Sequence, residues 1–244
     1  MRKAFSIFFF IYFFAVGFPL YIIALIIWII TKPFDKRLAI LHFFTQIWGA
    51  MYIFSIPGWH IKLIGKKNYD KKKVYMMVAN HQSQLDILST SYLFFHFKWV
   101  SKAEVFKVPI IGWNMTLNNY VKLRRGDKKS ILEMVKDASK AIDNGSSIFI
   151  FPEGTRSTTG TLRPFKSGAF IIAKRKKIPI LPIVINGTRE IVPKDTLNFN
   201  PKGNIEYKVL KPIPYEEYKD METIDIANMV RNRIKVHVYA HKEN

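Results

Sequence analysis

Residues 4–30 constrain the fold most, because this stretch, AFSIFFFIYFFAVGFPLYIIALIIWII, contains no charged side chain. As a helix it would be about 40 Å long, which exceeds a bilayer hydrocarbon core of about 30 Å. It is too long for the core of a signal peptide, and no small-residue cleavage pattern follows it. Pro19 lies inside it and predicts a kink or a break. We therefore expect an N-terminal hydrophobic, membrane-associating helical segment.

A second apolar segment, residues 38–59, is rich in aromatic residues but contains His42, Gln46 and Pro57, which is typical of a helix at the membrane interface. Basic residues stand on both sides of the first segment, so the positive-inside rule gives no orientation. Two arrangements remain open: a kinked re-entrant hairpin, and a single span. We expect residues 1–60 to form membrane-anchoring helices on the cytoplasmic face of the inner membrane, and residues 61–244 to form one α/β domain.

The net charge of +20, from 38 Lys+Arg against 18 Asp+Glu, favours polyanionic partners such as an anionic membrane or a phosphorylated substrate. The chain has no cysteine, which excludes disulfides, thiolate metal sites and cysteine nucleophiles. No helix-turn-helix, zinc finger or interleaving of aromatic and basic residues is present. Together with the apolar N-terminus, this favours membrane lipids as partners and predicts no nucleic acid.

From residue 69 onward, apolar runs alternate with segments of helical period. We predict strands at 74–79, around 100, and at 120–123, 146–151, 178–185 and 202–210. We predict helices at 85–97, 130–143, 168–176 and 224–239, and a loop at 108–115. This alternation is typical of an α/β fold with a mostly parallel sheet flanked by helices. In such sheets the active site lies beyond the carboxyl ends of strands, where residues 80–86, 123–127 and 152–156 are unusually polar.

The first of these loops, NHQSQLD, contains His81 where a buried strand ends and Asp86 five positions later. On one continuous helix the two side chains would be about 140° apart, but across a strand-to-helix turn they can converge. Asp86 would then fix the tautomer of His81 and raise its basicity for proton abstraction. The alternative is local: Ser83 as N-cap, with Asp86 as a favourable carboxylate at a helix start.

The other two loops supply charge suited to phosphate. In FPEGTR, Arg156 offers a planar fork and Gly154 allows close approach of the backbone. In RRGD, Arg124 and Arg125 are adjacent. The alternatives are a plain turn with a salt-bridged surface and a solvated basic turn.

Taken in order, NHQSQLD, RRGD and FPEGTR behind an apolar N-terminus resemble the glycerolipid acyltransferases, specifically the 1-acylglycerol-3-phosphate acyltransferases. Asn80, His81 and Asp86 match the family's N-H-x-x-x-x-D motif, and residues 151–156 match F-P-E-G-[TS]-R completely. Arg125 matches the arginine of a second motif, and Arg124 stands where the family often has Asp. An apolar strand around Pro182, together with Lys102 and residues 109–113, extends the resemblance over about residues 60–190.

The resemblance implies transfer of a fatty acyl group from a thioester of acyl carrier protein or coenzyme A to the sn-2 hydroxyl of lysophosphatidic acid. His81 would be the general base and Asp86 would orient it. Arg125 and Arg156 would hold the acceptor phosphate. The substrate-binding set would also include Gly154, Thr155, Lys102 and Arg124, with Glu153 positioning the loop or hydrogen-bonding the acceptor. Backbone amides near His81 are candidates for stabilising the oxyanion. The thioester would be a co-substrate, and neither a cofactor nor a metal is implied.

Two alternatives remain. The same chemistry on another acceptor, glycerol-3-phosphate or another lysolipid, fits the arginines as well. A non-catalytic, membrane-anchored binder of anionic lipids would use only the basic surface and would leave the pairing of His81 with Asp86 unexplained. A hydrolase is disfavoured, because the sequence contains neither a G-x-S-x-G elbow nor an H-E-x-x-H helix.

Overall fold

The computed structural model describes residues 2–157, 161–194, 196 and 198–239. The α-helices are α1 (Arg2–Thr31), α2 (Ala39–Phe54), α3 (Leu85–Ser89), α4 (Ile111–Leu117), α5 (Lys128–Asp143), α6 (Gly168–Lys176), α7 (Thr188–Ile191) and α8 (Thr223–Lys235). The strands are β1 (Trp59–Ile64), β2 (Met76–Ala79), β3 (Phe97–Lys102), β4 (Val121–Leu123), β5 (Ser147–Ile150), β6 (Ile180–Asn186) and β7 (Gly203–Val209). Short 3₁₀ helices occupy Lys66–Asn68, Thr90–Leu93, Ala103–Lys107 and Tyr215–Glu217.

The strands form one seven-stranded sheet in the order β1-β7-β6-β2-β5-β3-β4. Neighbouring strands are parallel except β6 and β7, which are antiparallel. Strands β6, β2, β5, β3 and β4 therefore point the same way, and their carboxyl ends meet at one edge of the sheet. This confirms the predicted mostly parallel α/β sheet, and it places the polar loops after β2, β4 and β5 on the same edge.

Helices cover both faces of the sheet, because successive residues of a buried strand point to opposite faces. In β2, Met77 and Ala79 face a core that also contains buried residues of α1, α2 and α3. Met76 and Val78 face a second core, formed with buried residues of α5, α6 and α8. The central strands β2, β5 and β6 are buried along their whole length, which explains why they are almost entirely apolar.

Helix α1 is the one helix in the described part of the chain that is long and apolar enough to cross a membrane. It packs on the domain through Ser6, whose hydroxyl accepts a hydrogen bond of 2.7 Å from the backbone N–H of Phe199, and through Phe13, whose carbonyl accepts one from the Tyr52 hydroxyl. Of the kink or break predicted at Pro19, the break is wrong, because α1 continues through this residue. A proline removes one intrahelical hydrogen bond, and packing against α2 on both sides of it keeps α1 continuous.

Much of α1 and α2 remains exposed although it is apolar. The exposed large side chains of these two helices are Ile7, Phe8, Ile11, Phe14, Phe18, Ile22, Ile23, Ile26, Ile29, Ile30, Ile40, Phe43, Ile47 and Phe54. A contiguous apolar surface of this kind on a folded chain indicates an interface with a membrane or another protein.

Three sequence predictions of local structure were wrong. In the segment predicted as helix 85–97, the α-helix ends at Ser89 and a 3₁₀ turn follows it. Phe94 then adopts a φ of 44°, which turns the chain toward β3. The predicted loop 108–115 contains α4, where Gly112 packs so closely that a Cβ would lie 2.2 Å from the Phe106 carbonyl oxygen. The apolar segment 38–59 is not a helix to its end, because Trp59 begins β1.

Gly187 joins β6 to α7 and sets the position of the residue that follows it. Its φ is +86°, and a Cβ there would lie 1.8 Å from the carbonyl oxygen of Asn204 in β7. Gly126 has a similar φ of +82°, but no atom lies within 4 Å of its Cβ position. Substituting alanine at each of the two glycines therefore distinguishes the cost of backbone strain from the cost of steric overlap.

We expect Gly187→Ala to lower the free energy of unfolding by at least about 3 kcal/mol, because β6 and β7 must move apart to accept the methyl group. Gly126→Ala should lower it by only about 1 to 2 kcal/mol, the cost of a left-handed conformation for a residue with a Cβ. Urea unfolding of both variants measures the difference. Equal losses would show that the close approach of Gly187 to Asn204 is not a constraint on the fold.

Candidate active site

Asn80 directly follows β2 and ties this strand to its neighbour β6. Its side-chain N–H₂ donates to the carbonyl of Ile185 and its side-chain oxygen accepts from the N–H of the same residue, both at 2.8 Å. Asn80 is 1% exposed. Its side-chain amide makes the two hydrogen bonds to β6 that a backbone peptide group would make inside the sheet. The next residue, His81, thereby leaves the sheet from a fixed point.

Asp86 lies in the first turn of α3 and is fully buried. One carboxylate oxygen, Oδ2, accepts hydrogen bonds from His81 Nδ1 at 2.7 Å, from the N–H of Gln82 at 2.8 Å and from the N–H of Ser83 at 3.0 Å. The other oxygen, Oδ1, accepts from the hydroxyl of Thr188. Four donors thus compensate a carboxylate that is shielded from water.

These contacts combine the two interpretations of Asp86 made from the sequence. The carboxylate folds back across the turn to reach His81, and the same oxygen also accepts the backbone N–H groups ahead of the helix. The N-cap itself is Gln84 rather than Ser83. The Ser83 hydroxyl instead accepts from the N–H of Leu85 and donates to the carbonyl of Val192.

His81 is held on three sides. Its ring stacks on Phe151 with centroids 4.0 Å apart and an interplanar angle of 9°. Its carbonyl accepts from the N–H of Ser157 at 3.0 Å. Because Nδ1 donates to Asp86, the tautomer that this hydrogen bond selects leaves a lone pair on Nε2. The side chain is 14% exposed, so the ring is only partly accessible.

Glu153 joins the loop after β5 to the loop after β2. Its Oε1 accepts from the N–H of His81 at 2.7 Å and its Oε2 accepts from the N–H of Arg163 at 2.9 Å. Burial raises the pKa of this carboxyl to about 7, although the two backbone N–H groups oppose the shift. With both oxygens directed at backbone amides, the geometry favours positioning of the loop over contact with an acceptor.

The carboxylates of Glu153 and Asp86 also accept hydrogen bonds from the backbone amides that were expected to stabilise an oxyanion. The backbone N–H groups of His81, Gln82 and Ser83 all donate to Glu153 or Asp86. They are therefore occupied, and the expectation that amides adjacent to His81 stabilise an oxyanion is not supported by this geometry.

The basic residues are spread along the carboxyl edge of the sheet. Arg156 is half-buried, and its loop follows β5, the neighbour of β2. Lys102 is the exposed last residue of β3, in register with Leu123 of β4, which Arg124 and Arg125 follow. Strands are about 4.8 Å apart, so the loop with Arg156 leaves the sheet about 5 Å from the His81 loop, and the loop with Arg124 and Arg125 about 14 Å from it.

Gly154 and Thr155 occupy the turn between Glu153 and Arg156. Gly154 has a φ of +71°, and its N–H donates to the carbonyl of Phe151 at 3.0 Å. A Cβ at Gly154 would lie 3.2 Å from Nζ of Lys166, an exposed lysine whose N–H donates to the Pro152 carbonyl. Lys166 is therefore a fifth basic residue at this edge of the sheet, and its side chain lies against the FPEGTR turn.

Lys166 and Thr188 were not among the residues predicted from the sequence. Thr188 follows the buried strand β6 after a glycine. A polar segment at the end of a buried strand could have identified it as a candidate site residue. Lys166 precedes α6 in the segment PFKSG, where nothing in the pattern points to Gly154. Within the described residues, no three His, Asp or Glu side chains are grouped to hold a metal ion.

Comparison with known proteins identifies relatives of this chain. It is 36% identical over 196 residues to the chloroplastic 1-acyl-sn-glycerol-3-phosphate acyltransferase BAT2 of Brassica napus, a match that covers 79% of this chain and 54% of that protein. It is 35% identical over 181 residues to the 1-acyl-sn-glycerol-3-phosphate acyltransferase of Saccharomyces cerevisiae, covering 72% of this chain and 59% of that protein. The chain thus spans little more than half the length of these relatives.

The fold is also that of a solved structure. The 1-acyl-sn-glycerophosphate (LPA) acyltransferase of Thermotoga maritima superposes with a TM-score of 0.81 at 23% sequence identity, and the match covers 100% of both chains. A family profile described as Acyltransferase matches residues 60–186, which include β2, β5 and the loops that follow them. This chain belongs to the Acyltransferase family.

Proposed function

We propose that this protein transfers a fatty acyl group from an acyl thioester to the free sn-2 hydroxyl of lysophosphatidic acid and so forms phosphatidic acid. The observation that carries the proposal is the hydrogen bond between His81 and the buried Asp86, beside the FPEGTR loop. Relatives that share the family carry the name of this activity. A chain that only bound anionic lipids would have no use for a buried carboxylate directed at a partly exposed imidazole.

In the proposed reaction, Nε2 of His81 takes the proton of the sn-2 hydroxyl while the oxygen attacks the thioester carbonyl carbon. The carbon–oxygen bond forms, the carbon–sulfur bond of the tetrahedral intermediate then breaks, and the proton passes from His81 to the departing sulfur. Asp86 stabilises the imidazolium in between. The attack is direct, with no acyl-enzyme.

The acceptor phosphate lies on the carbon next to the one that bears the reacting hydroxyl. It must therefore sit close to His81, and the loop with Arg156 leaves the sheet one strand away, whereas Arg125 follows a strand three positions away. We assign Arg156 as the main phosphate ligand. Arg125, Arg124 and Lys102 supply longer-range positive charge along the same edge.

Glu153, Gly154 and Thr155 have positioning roles in this proposal. Glu153 holds the FPEGTR loop against the His81 loop, and the left-handed conformation of Gly154 turns the chain so that Arg156 follows it. Lys166, beside Gly154, adds a cation on the same turn.

The exposed apolar surfaces of α1 and α2 support a location on the membrane, where the acceptor and product reside. The net charge of +20 suits the anionic cytoplasmic leaflet, so we propose the cytoplasmic face of the inner membrane as the site of action. The acyl donor is a thioester of acyl carrier protein or of coenzyme A. Both donors are acidic, and both suit a basic surface.

His81→Ala should lower the rate of phosphatidic acid formation at least about 10²-fold, because the general base is lost. The acceptor KM should change little, because His81 does not bind the phosphate. The measurement is thiol release from an acyl thioester, dependent on lysophosphatidic acid, in mixed micelles.

The matched control is His60→Ala, which removes an exposed histidine of β1 and should leave the rate unchanged. A His81→Ala variant that formed phosphatidic acid at the native rate would contradict the assignment of the base. Testing glycerol-3-phosphate and another lysolipid in place of lysophosphatidic acid identifies the acceptor independently.

Arg156→Gln should raise the KM for lysophosphatidic acid about tenfold or more, the loss expected for one charge-assisted contact. Arg125→Gln should raise it less, because its loop is farther from His81. Arg175→Gln, an exposed arginine of α6, serves as the control for loss of one positive charge. A larger effect of Arg125→Gln than of Arg156→Gln would show that the phosphate binds nearer β4.

A further inference from the structure

A second basic site lies at the opposite end of the sheet from His81. A cavity of about 450 Å³ opens near the amino ends of β3, β4 and β5, where Lys98, Tyr120 and Ser146 contribute to its wall. The other walls come from the connection between α1 and α2 and from the second half of α5. The proposed reaction uses none of these residues.

The charged side chains that line the cavity are predominantly positive. Five cations contribute to it, and the one carboxylate is that of Asp137; the cations are Lys36, Arg37, Lys98, Lys122 and Lys140. They come from four separate parts of the fold, so the concentration of charge does not result from one basic run of sequence. Converging positive charge around a concave surface favours an anionic ligand.

Lys98 is the most informative member of this group. It is 4% exposed, and its Nζ donates to the carbonyl of Asn118 at 2.7 Å. Among the described ion pairs none includes Lys98, so no carboxylate within 4 Å neutralises it. Burial lowers its pKa to about 7, although the charge of Asp35 opposes this shift. A bound anion would supply the missing counter-charge to a buried ammonium group.

Arg37 is already oriented toward the cavity region. One guanidinium nitrogen, Nη1, donates to the carbonyl of Gly145 at 3.4 Å, just after the end of α5. This contact holds an exposed arginine from the α1–α2 connection against a helix of the domain. The guanidinium has five donors in a planar fork, which is a geometry suited to phosphate oxygens.

We propose that this cavity binds a phosphate group, as a second anion site separate from the proposed catalytic site. Lys98 and Arg37 provide the central contacts, and Lys122 and Lys140 provide the rim. The α1–α2 connection brings the cavity to the end of the apolar helix α1, so a phospholipid headgroup and free phosphate are both available sources of the ligand.

The test is lysine acetylation followed by mass spectrometry on the full chain in detergent micelles, with and without inorganic phosphate. We expect phosphate to slow acetylation of Lys122 and Lys140 at least about threefold relative to the exposed run Lys71, Lys72 and Lys73, which lines no described cavity. Equal protection of both sets would indicate general screening by salt and would overturn the proposal.

Lys98→Met should abolish the selective protection, because it removes the buried charge and leaves both reporter lysines in place. If Lys98→Met does not fold, Arg37→Gln removes the other central contact of the proposed site. Arg37 is exposed, so this substitution should not disturb folding. The control K66Q/K67Q removes two exposed positive charges elsewhere, leaves the reference lysines in place and should keep the protection. Persistence of the protection in both Lys98→Met and Arg37→Gln would refute the site. Arg156→Gln, measured in parallel, should also keep it, because the site is separate from the catalytic one.

Vesicles distinguish the two sources of phosphate. Vesicles of phosphatidylcholine with phosphatidic acid are compared with vesicles of phosphatidylcholine that contain the uncharged diacylglycerol instead. Selective protection by the phosphatidic acid vesicles in phosphate-free buffer supports a lipid headgroup as the ligand. Protection by inorganic phosphate but not by these vesicles supports the proposal with free phosphate as the ligand. Protection by neither contradicts it.

Discussion

The buried carboxylate of Asp86 is the constraint on which the arrangement of the site depends. A carboxylate with no access to water is costly unless every lone-pair direction is used. Here the donors come from the loop after β2 and from Thr188 after β6. Satisfying Asp86 therefore fixes the orientation of His81, the entry into α3 and the turn at Gly187 at the same time. Tyr207 of β7 adds a further contact through the carbonyl of Asp86.

A second carboxylate extends this arrangement to the adjacent strand. Glu153 links the loop after β5 to the N–H of His81, and Phe151 stacks on the imidazole from the same loop. The two sequence motifs are thus one unit in space, because β2 and β5 are neighbours in the sheet. The proposed phosphate ligand and the proposed base are consequently positioned by the same backbone contacts.

The parts of the fold that follow local patterns were predictable from the sequence. Helix α6 has the predicted bounds, β2 and β5 lie within the predicted apolar runs, and β6 extends one residue beyond its predicted run, because these patterns directly reflect burial. The convergence of His81 and Asp86 was also predicted, since a strand-to-helix turn allows it. Contacts between distant segments were not predictable: β1 pairs with β7 about 140 residues away, Thr188 reaches Asp86 across 102 residues, and the cations that line the cavity with Lys98 come from four parts of the chain.

The central claim is that Asp86 holds His81 in the tautomer that leaves Nε2 free to accept a proton. Nitrogen-15 NMR of histidine-labelled protein in micelles tests this directly, with the His81 signals assigned by comparison with His81→Gln. In the neutral imidazole, we predict a protonated Nδ1 and an unprotonated Nε2. In Asp86→Asn this preference should be lost or reversed. A neutral His81 in native protein with its proton on Nε2 would contradict the account.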